Sequence, residues 1–304
     1  MNLRKNCLSC KKKFLKEIIN LGTHSFADRF IPKDKLNSKD PTYPLILDYC
    51  TKCSFIQSRV KTDPKHRYVD IDYSYTSSNS KYSREHWEKF AEFLEKKYHV
   101  KNKKILEVGS NDGYLCEILN KKGASCLGVD ASKFMTKLSE ARKVNSINAI
   151  FSFKESLKIK KKFKKFDIII ANNVFNHSDS PSEFLRGISK LLNTDGIYVF
   201  EQPDFAIGAL TLKFDQIYHE HISYFTVKSA KYILNSVGLH IFKIEKTEYH
   251  GGSIRIYSSL NISDNNELTK EYINFEEKNG LFDIKTYKDY SSKIEEKKYK
   301  TLEH

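Results

Sequence analysis

From residue 104 to 201 short apolar runs alternate with stretches whose apolar residues recur every three or four positions. The runs fall at 104–109, 125–130, 146–151, 166–171 and 196–201 and read as strands. Helical spacing falls at about 113–122, 132–142 and 181–192. Phe166-Asp167-Ile168-Ile169-Ile170-Ala171 is apolar at both alternating sets of positions, as a strand covered on two faces must be. This alternation predicts an α/β fold with a doubly wound, mainly parallel sheet, whose ligands sit at the carboxyl ends of the strands. Ahead of it, Trp87, Phe90, Ala91, Phe93 and Leu94 recur at helical spacing within Ser83 to Tyr98, with Ser83 as an N-cap.

Behind this block the pattern changes. Phe205 to Phe214 is apolar around Gly208 and reads as a lid or a substrate-side helix. Val227 to Val237 reads as a helix closed by Gly238, and Leu239 to Glu248 and Ser253 to Ser259 as two strands. Gly251-Gly252 between them suits either a tight hairpin or a backbone nest against a ligand. Residues 264–301 are Lys/Glu-rich and read as a solvated helical arm or linker.

Residues 1–60 carry Cys7-Leu8-Ser9-Cys10 and Cys50-Thr51-Lys52-Cys53. Two C-x-x-C turns supply four thiolates, which predicts a structural Zn²⁺ held by Cys7, Cys10, Cys50 and Cys53. Four thiolates leave no open position for catalysis. The segment between the pairs, with Pro32, Pro41 and Pro44, shows little regular pattern. Cys116 and Cys126 stand apart and read as core residues. Residues 61–83 form a connector rich in Tyr68, Tyr73, Tyr75 and Tyr82, interspersed with Ser74, Thr76, Ser77, Ser78 and Ser80. It suits a plain linker or a loop over a polar ligand. The expected segments are therefore 1–60, a zinc-binding module; 61–103, connector and helix; 104–205, the sheet domain; 206–262, a substrate segment; and 263–304, the arm.

The net charge is +14, yet only eight of the 52 basic residues are arginine. That balance suits a lysine-rich solvated surface or an anionic small substrate, and makes nucleic acid an unlikely partner. No apolar run approaches the ~20 residues of a membrane span, and the N-terminus has no apolar signal core. The expectation is a cytoplasmic protein with no membrane partner. Nothing in the sequence sets the oligomeric state.

Three strand ends carry polar residues where a ligand would lie. The first is Glu107-Val108-Gly109-Ser110-Asn111-Asp112-Gly113, the second ends at Asp130, and the fourth runs into Asn172-Asn173-Val174-Phe175-Asn176-His177. Gly109 and Gly113 allow a tight turn and close approach to the backbone, and the spacing lacks the Gly-x-Gly-x-x-Gly fingerprint. Asp130 suits the two hydroxyls of a ribose or, alternatively, the N-cap of the next helix. The candidate cofactor residues are Glu107, Gly109, Asn111, Asp112, Gly113, Asp130, Asn172 and Asn173.

Glu-x-Gly-x-x-x-Gly, the acid ending the second strand and Asn-Asn-Val-Phe-x-His together resemble class I S-adenosylmethionine (SAM)-dependent methyltransferases. The cysteine module, Tyr218-His219-Glu220-His221-Ile222-Ser223-Tyr224-Phe225 and His250-Gly251-Gly252-Ser253-Ile254-Arg255-Ile256-Tyr257 narrow the resemblance. They are similar to the sugar C-methyltransferases that act at C3 of nucleotide-linked 4-keto-6-deoxy sugars. The resemblance implies a Rossmann-like class I core behind the zinc module, with SAM as methyl donor and a nucleotide-linked sugar as acceptor. It implies catalytic roles for Tyr218, Glu220 and His221, and for a connector tyrosine best matched by Tyr75. Family members continue into a second Rossmann-like domain that helps hold the nucleotide. This chain stops at His304, and Leu302-Glu303-His304 resemble the stub of an expression tag, so the expectation is a partial C-terminal region.

Methylation at carbon needs a carbanion, which an adjacent ketone stabilises as an enolate. His221 is the candidate base, because neutral imidazole accepts a proton near pH 7. Tyr218 would donate to the enolate oxygen, and Glu220 would tune a histidine or bind a sugar hydroxyl. If residues 218–224 were extended, Glu220 would point away from His219 and His221. A metal pair or a surface loop is the competing reading of His-x-His. Other activities stay open: a SAM-dependent O- or N-methyltransferase of a sugar or small metabolite, a zinc-bearing RNA-binding protein or RNA methyltransferase, or a non-catalytic relative.

Overall fold

A computed structural model describes residues 2–27, 33, 37, 40–68, 75–261 and 266–302. Pro32, Tyr73, Ser74, Glu303 and His304, and the side chain of Tyr68, lie outside the described residues.

The N-terminal module is more regular than its sequence suggests. Strands β1 (Leu15–Ser25), β2 (Thr42–Cys50) and β3 (Ile56–Ser58) pair antiparallel, and β3 takes on β9 (Ser223–Tyr224) from far along the chain. The irregular reading of 11–49 fails because β1 carries register shifts between Glu17 and Ile19 and between Asn20 and Thr23. A bulge resets the two-residue alternation that marks a strand. The connector contains a short helix, α1 (Pro64–Tyr68), and leads into α2 (Lys81–Tyr98). The N-cap of α2 is Ser80, whose Oγ accepts from the Ser83 amide, so Ser83 lies inside the helix.

The central sheet uses β4 (Lys104–Val108), β5 (Ser125–Asp130), β6 (Asn145–Asn148), β7 (Phe166–Ile170), β8 (Leu192–Pro203), β10 (His240–Thr247) and β11 (Ser253–Ser259). Their spatial order is β10-β11-β8-β7-β4-β5-β6. The strands from β4 to β8 run parallel, and β11 is antiparallel to both β8 and β10. The strand order reverses between β4 and β7, which opens a crevice at the carboxyl ends of these two strands. Alternation along the strands divides the core: Ile105, Ile168, Ile170, Ile197 and Val199 meet Trp87, Phe90, Ala91 and Leu94 of α2. Leu106, Val108, Ile169, Tyr198 and Phe200 meet the opposite layer.

That opposite layer includes α5 (Phe153–Phe163), which the sequence analysis did not predict, α6 (Pro181–Leu191) and α8 (Val227–Asn235). Helices α3 (Tyr114–Lys121) and α4 (Lys133–Ala141) follow β4 and β5, and α7 (Phe205–Leu210) follows β8. The terminal helices α9 (Asn266–Lys278) and α10 (Ile284–Leu302) do not form a solvated arm. Leu281, Tyr287, Tyr290 and Ile294 are buried with Ile18, Leu47 and Phe205, so the C-terminal segment seals the N-terminal module. Glu276 of α9 accepts from the Val227 and Lys228 amides and so caps α8.

Candidate functional site

A cavity of about 600 Å³ opens at the carboxyl ends of the parallel strands. Tyr75, Glu107, Gly109, Asn111, Asp130, Asn172, Asn173, Tyr218 and His221 all line it. Asp112, Gly113 and Glu220 are not among its lining residues. The sequence analysis also left unassigned several residues that do line it, among them Ser77, Ser110, Phe151, Gln216 and His250.

The turn after β4 is held open by packing. Gly109 has φ +72°, and a Cβ there would sit 2.7 Å from the Cβ of Val174. Asn111, also at positive φ, donates its amide to Asp130 Oδ2 at 2.8 Å. Asp130 Oδ1 accepts from the Ser132 amide at 2.8 Å, and Ser132 itself caps α4. Asp130 therefore fixes the turn and is not the N-cap. Each of its oxygens keeps a further lone pair for a ligand. Glu107 shares the Ile105 face of β4 and accepts from Cys116 Sγ at 3.0 Å. Burial raises its carboxyl to about 8, against the Cys116 hydrogen bond and helped by Asp112 and Asp130.

Asp112 has a different task from the one expected. Its carboxylate accepts from the hydroxyls of Ser77 and Ser78 and pairs with Arg142 at 3.1 Å. Asn111 completes the clamp, accepting from the Ser77 amide at 2.8 Å and donating to the Tyr75 carbonyl at 3.0 Å. The connector is thus strapped across the glycine turn, with Tyr75 and Ser77 in the cavity wall. Gly113 is the residue before α3, and a Cβ there would lie 2.3 Å from Ser139 Oγ.

Asn172 and Asn173 close the third wall. Neither polar atom of the Asn172 amide, nor Oδ1 of Asn173, has a hydrogen-bond partner among the described residues, and Ser110 Oγ is in the same state. Buried amides without partners are costly, so a polar ligand is the natural complement. A polar molecule that satisfies these amides and the free lone pairs of Asp130 fits this wall, as SAM would.

The second half of the site comes from 215–221. The chain does not run extended there: the His221 amide bonds to the Tyr218 carbonyl at 3.1 Å, closing a turn before β9. The turn puts the rings of Tyr218 and His221 together, centroids 4.1 Å apart, and sends His219 to the Tyr43 carbonyl at 3.0 Å. Glu220 is 1% exposed and lies away from the cavity lining. His221 Nδ1 lies 2.7 Å from the Gln216 carbonyl. A carbonyl only accepts, so Nδ1 carries the proton and Nε2 keeps its lone pair. Burial lowers His221 to about 3, opposed by the Gln216 hydrogen bond, so the ring is neutral at pH 7. The His177 ring is 5.0 Å away, and burial, then His221, hold it well below the ordinary range.

The N-terminal module braces this half. The Ser58 amide bonds to the Ile222 carbonyl, and the Ile222 amide to the Asn176 carbonyl. Arg4 and buried Arg67 both grip Asp179, beside the cavity. The thiol sulfurs of Cys7, Cys10, Cys50 and Cys53 lie within 4.8 Å of one another, with Cys7–Cys53 and Cys10–Cys50 at 3.6 Å. A Zn–S bond of ~2.3 Å makes the edge of a tetrahedron about 3.8 Å, so the four sulfurs fit Zn²⁺.

Residues 79–244 match the family described as "Methyltransferase domain", and residues 7–68 the family described as "Putative zinc binding domain". Over 292 residues the chain is 23% identical to C-methyltransferase NovU of Streptomyces niveus, covering 95% of this chain and 69% of that protein. It is 33% identical over 99 residues to the ubiquinone biosynthesis O-methyltransferase of Pelagibacter ubique, covering 32% of this chain and 41% of that one. Among solved structures, a Pyrococcus horikoshii protein superposes with a TM-score of 0.49 at 18% identity, over 66% of this chain and 99% of that one. Magnesium protoporphyrin IX methyltransferase from Synechocystis with bound SAH gives 0.46 at 13%, over 58% and 82%.

Proposed function

The chain belongs to the methyltransferase domain family and is a SAM-dependent enzyme, and from that premise we propose that it methylates carbon. The acceptor in this reading is a keto-deoxy sugar linked to a nucleoside diphosphate, methylated through an enolate. When bound, SAM supplies an electrophilic methyl on a cationic sulfonium. The observation that carries the proposal is the His221 ring, fixed through Nδ1 to the Gln216 carbonyl while it lines the cavity.

Neutral Nε2 takes the proton from the carbon beside the ketone. Tyr218 and Tyr75 line the same cavity, and in this reading their hydroxyls donate to the enolate oxygen as charge develops. The turn carries Glu220 off the cavity wall, so in this reading it supports the loop. Asn172, Asn173, Ser110 and Asp130 hold the donor's polar groups. The net charge of +14 favours an anionic, diphosphate-bearing acceptor. The alignment with a relative named for C-methyl transfer, over 95% of the chain, supports carbon as the target.

The test is solvent exchange. With the chain and S-adenosylhomocysteine (SAH) in D₂O, a substrate among a panel of nucleotide-linked 4-keto-6-deoxy sugars exchanges one proton beside its ketone for deuterium. His221→Ala slows that exchange by about 100-fold or more, the usual weight of a general base. Exchange that survives the substitution, or a methyl found on oxygen when SAM replaces SAH, refutes the proposal.

A further inference from the structure

The hydroxyls of Tyr75 and Tyr249, 174 positions apart, meet at 2.6 Å. Tyr249 also bonds to Ser83 Oγ at 3.1 Å, and Ser83 Oγ to Ser80 Oγ at 2.8 Å. Tyr249 is buried and is not among the cavity-lining residues, whereas Tyr75 is. The Tyr249 ring lies flat on His86, with centroids 4.1 Å apart and planes 8° from parallel. His86 is fixed by Glu201 at 2.8 Å, and Arg255 holds the other Glu201 oxygen at 2.5 Å. Glu201 and Arg255 face each other on paired strands β8 and β11. The Tyr249 phenol is therefore aimed by a buried ion pair and a stack, a costly arrangement for a side chain outside the cavity lining.

Two proton arrangements are open to this chain of hydroxyls. In one, Tyr249 donates to Ser83 and Tyr75 donates to Tyr249. Rotating the hydroxyls reverses them: Ser83 donates to Tyr249, Tyr249 donates to Tyr75, and the Tyr75 proton is free for a group in the cavity. Donation into the Tyr75 oxygen also makes its own O–H a stronger donor.

We infer that Tyr249 is a positioning residue, which holds the Tyr75 hydroxyl at the cavity wall and frees its proton for the enolate oxygen. This rests on the C-methylation reading. Tyr249→Phe keeps the ring and its stack and removes only the hydroxyl.

The experiment is a cycle of Tyr75→Phe, Tyr249→Phe and the double variant, each assayed for kcat, for KM of SAM and for SAH affinity by calorimetry. Tyr249→Phe is expected to lower kcat about tenfold, the scale of one transition-state hydrogen bond, and to leave SAH affinity unchanged. The double variant is expected to be no slower than Tyr75→Phe alone, because the two act as one unit. Losses that multiply, a Tyr249→Phe enzyme at full kcat, or SAH affinity that falls with kcat each overturn the inference and leave C-methylation standing. Absence of turnover and of exchange in the unaltered chain overturns both.

Discussion

Gly109→Ala tests whether the cofactor turn is set by packing or only by backbone conformation. Gly109 and Gly238 share nearly the same backbone angle, φ +72° and +76°. At Gly238 an added Cβ meets nothing within 4 Å, whereas at Gly109 it meets three Val174 atoms at 2.7, 2.8 and 3.0 Å. An L-residue in the left-handed region costs about 1–2 kcal/mol at either site. In both variants the unfolded chain also loses freedom, which offsets about 0.4–1 kcal/mol. These terms cancel in the comparison. What remains is the clash at Gly109, worth about 1–3 kcal/mol if the neighbours yield as overpacked cores do. Val174 lines the cavity, so relief by moving it also displaces the wall. Thermal unfolding of the two variants should therefore place Gly109→Ala lower by several degrees. SAH calorimetry should show a loss of about tenfold or more for Gly109→Ala and none for Gly238→Ala. Adding Val174→Ala should recover only part of the stability, because the 2.7 Å contact is with the Val174 Cβ itself. Equal melting points and equal SAH affinities for the two glycine variants would refute the packing argument.

Two more predictions follow from burial and from the thiolate cluster. Glu107 titrates at about 8 in the folded chain, far above the ~4.3 of an unfolded one, so it contributes stability below about pH 4.5 that is lost as pH rises through 8. Glu107→Gln should flatten the fall in stability between pH 5 and 8 by up to about 1.4 kcal/mol per pH unit, read from urea midpoints; parallel curves would reject this. Removing zinc with a chelator should release one ion per chain and speed amide exchange in 218–226, since β3 of the module pairs with β9. Unchanged exchange there would show that the metal does not brace the His221 turn.

The half of the cavity that we assign to SAM was legible because its signals are local. A buried strand, a glycine turn and a helix fall within the twelve residues from Lys104 to Leu115, and Asp130 and Asn172 end strands with the same apolar pattern. The failures have equally particular causes. Only Ser156 and Ile159 of α5 are buried, and its lysine run hid that narrow stripe. Helix α10 looked solvated because its buried positions, Tyr287, Tyr290 and Ile294, are spaced three and four apart among lysines and glutamates. Two tyrosines in such a stripe read as surface residues until a partner module covers them.

The half of the cavity that we assign to the acceptor was legible in its residues and not in its geometry. Tyr218, Glu220 and His221 are adjacent in sequence, and their roles depend on a single backbone choice. An extended segment would put Tyr218 and Glu220 on one face and His219 and His221 on the other. The turn closed by the His221 amide instead pairs Tyr218 with His221 and removes Glu220 from the wall. Nothing within those four residues selects the turn. It is selected by Gln216, whose carbonyl accepts the hydrogen bond from His221 Nδ1–H, and by β9, which must reach β3 in the N-terminal module. The same holds for Tyr75, whose hydroxyl is placed by Tyr249 in the turn between β10 and β11, formed much later in the chain. The chemistry of this half is therefore written in short motifs, while its alignment is supplied by the cysteine module and the β10–β11 edge. Substitutions there should damage turnover while sparing SAH binding.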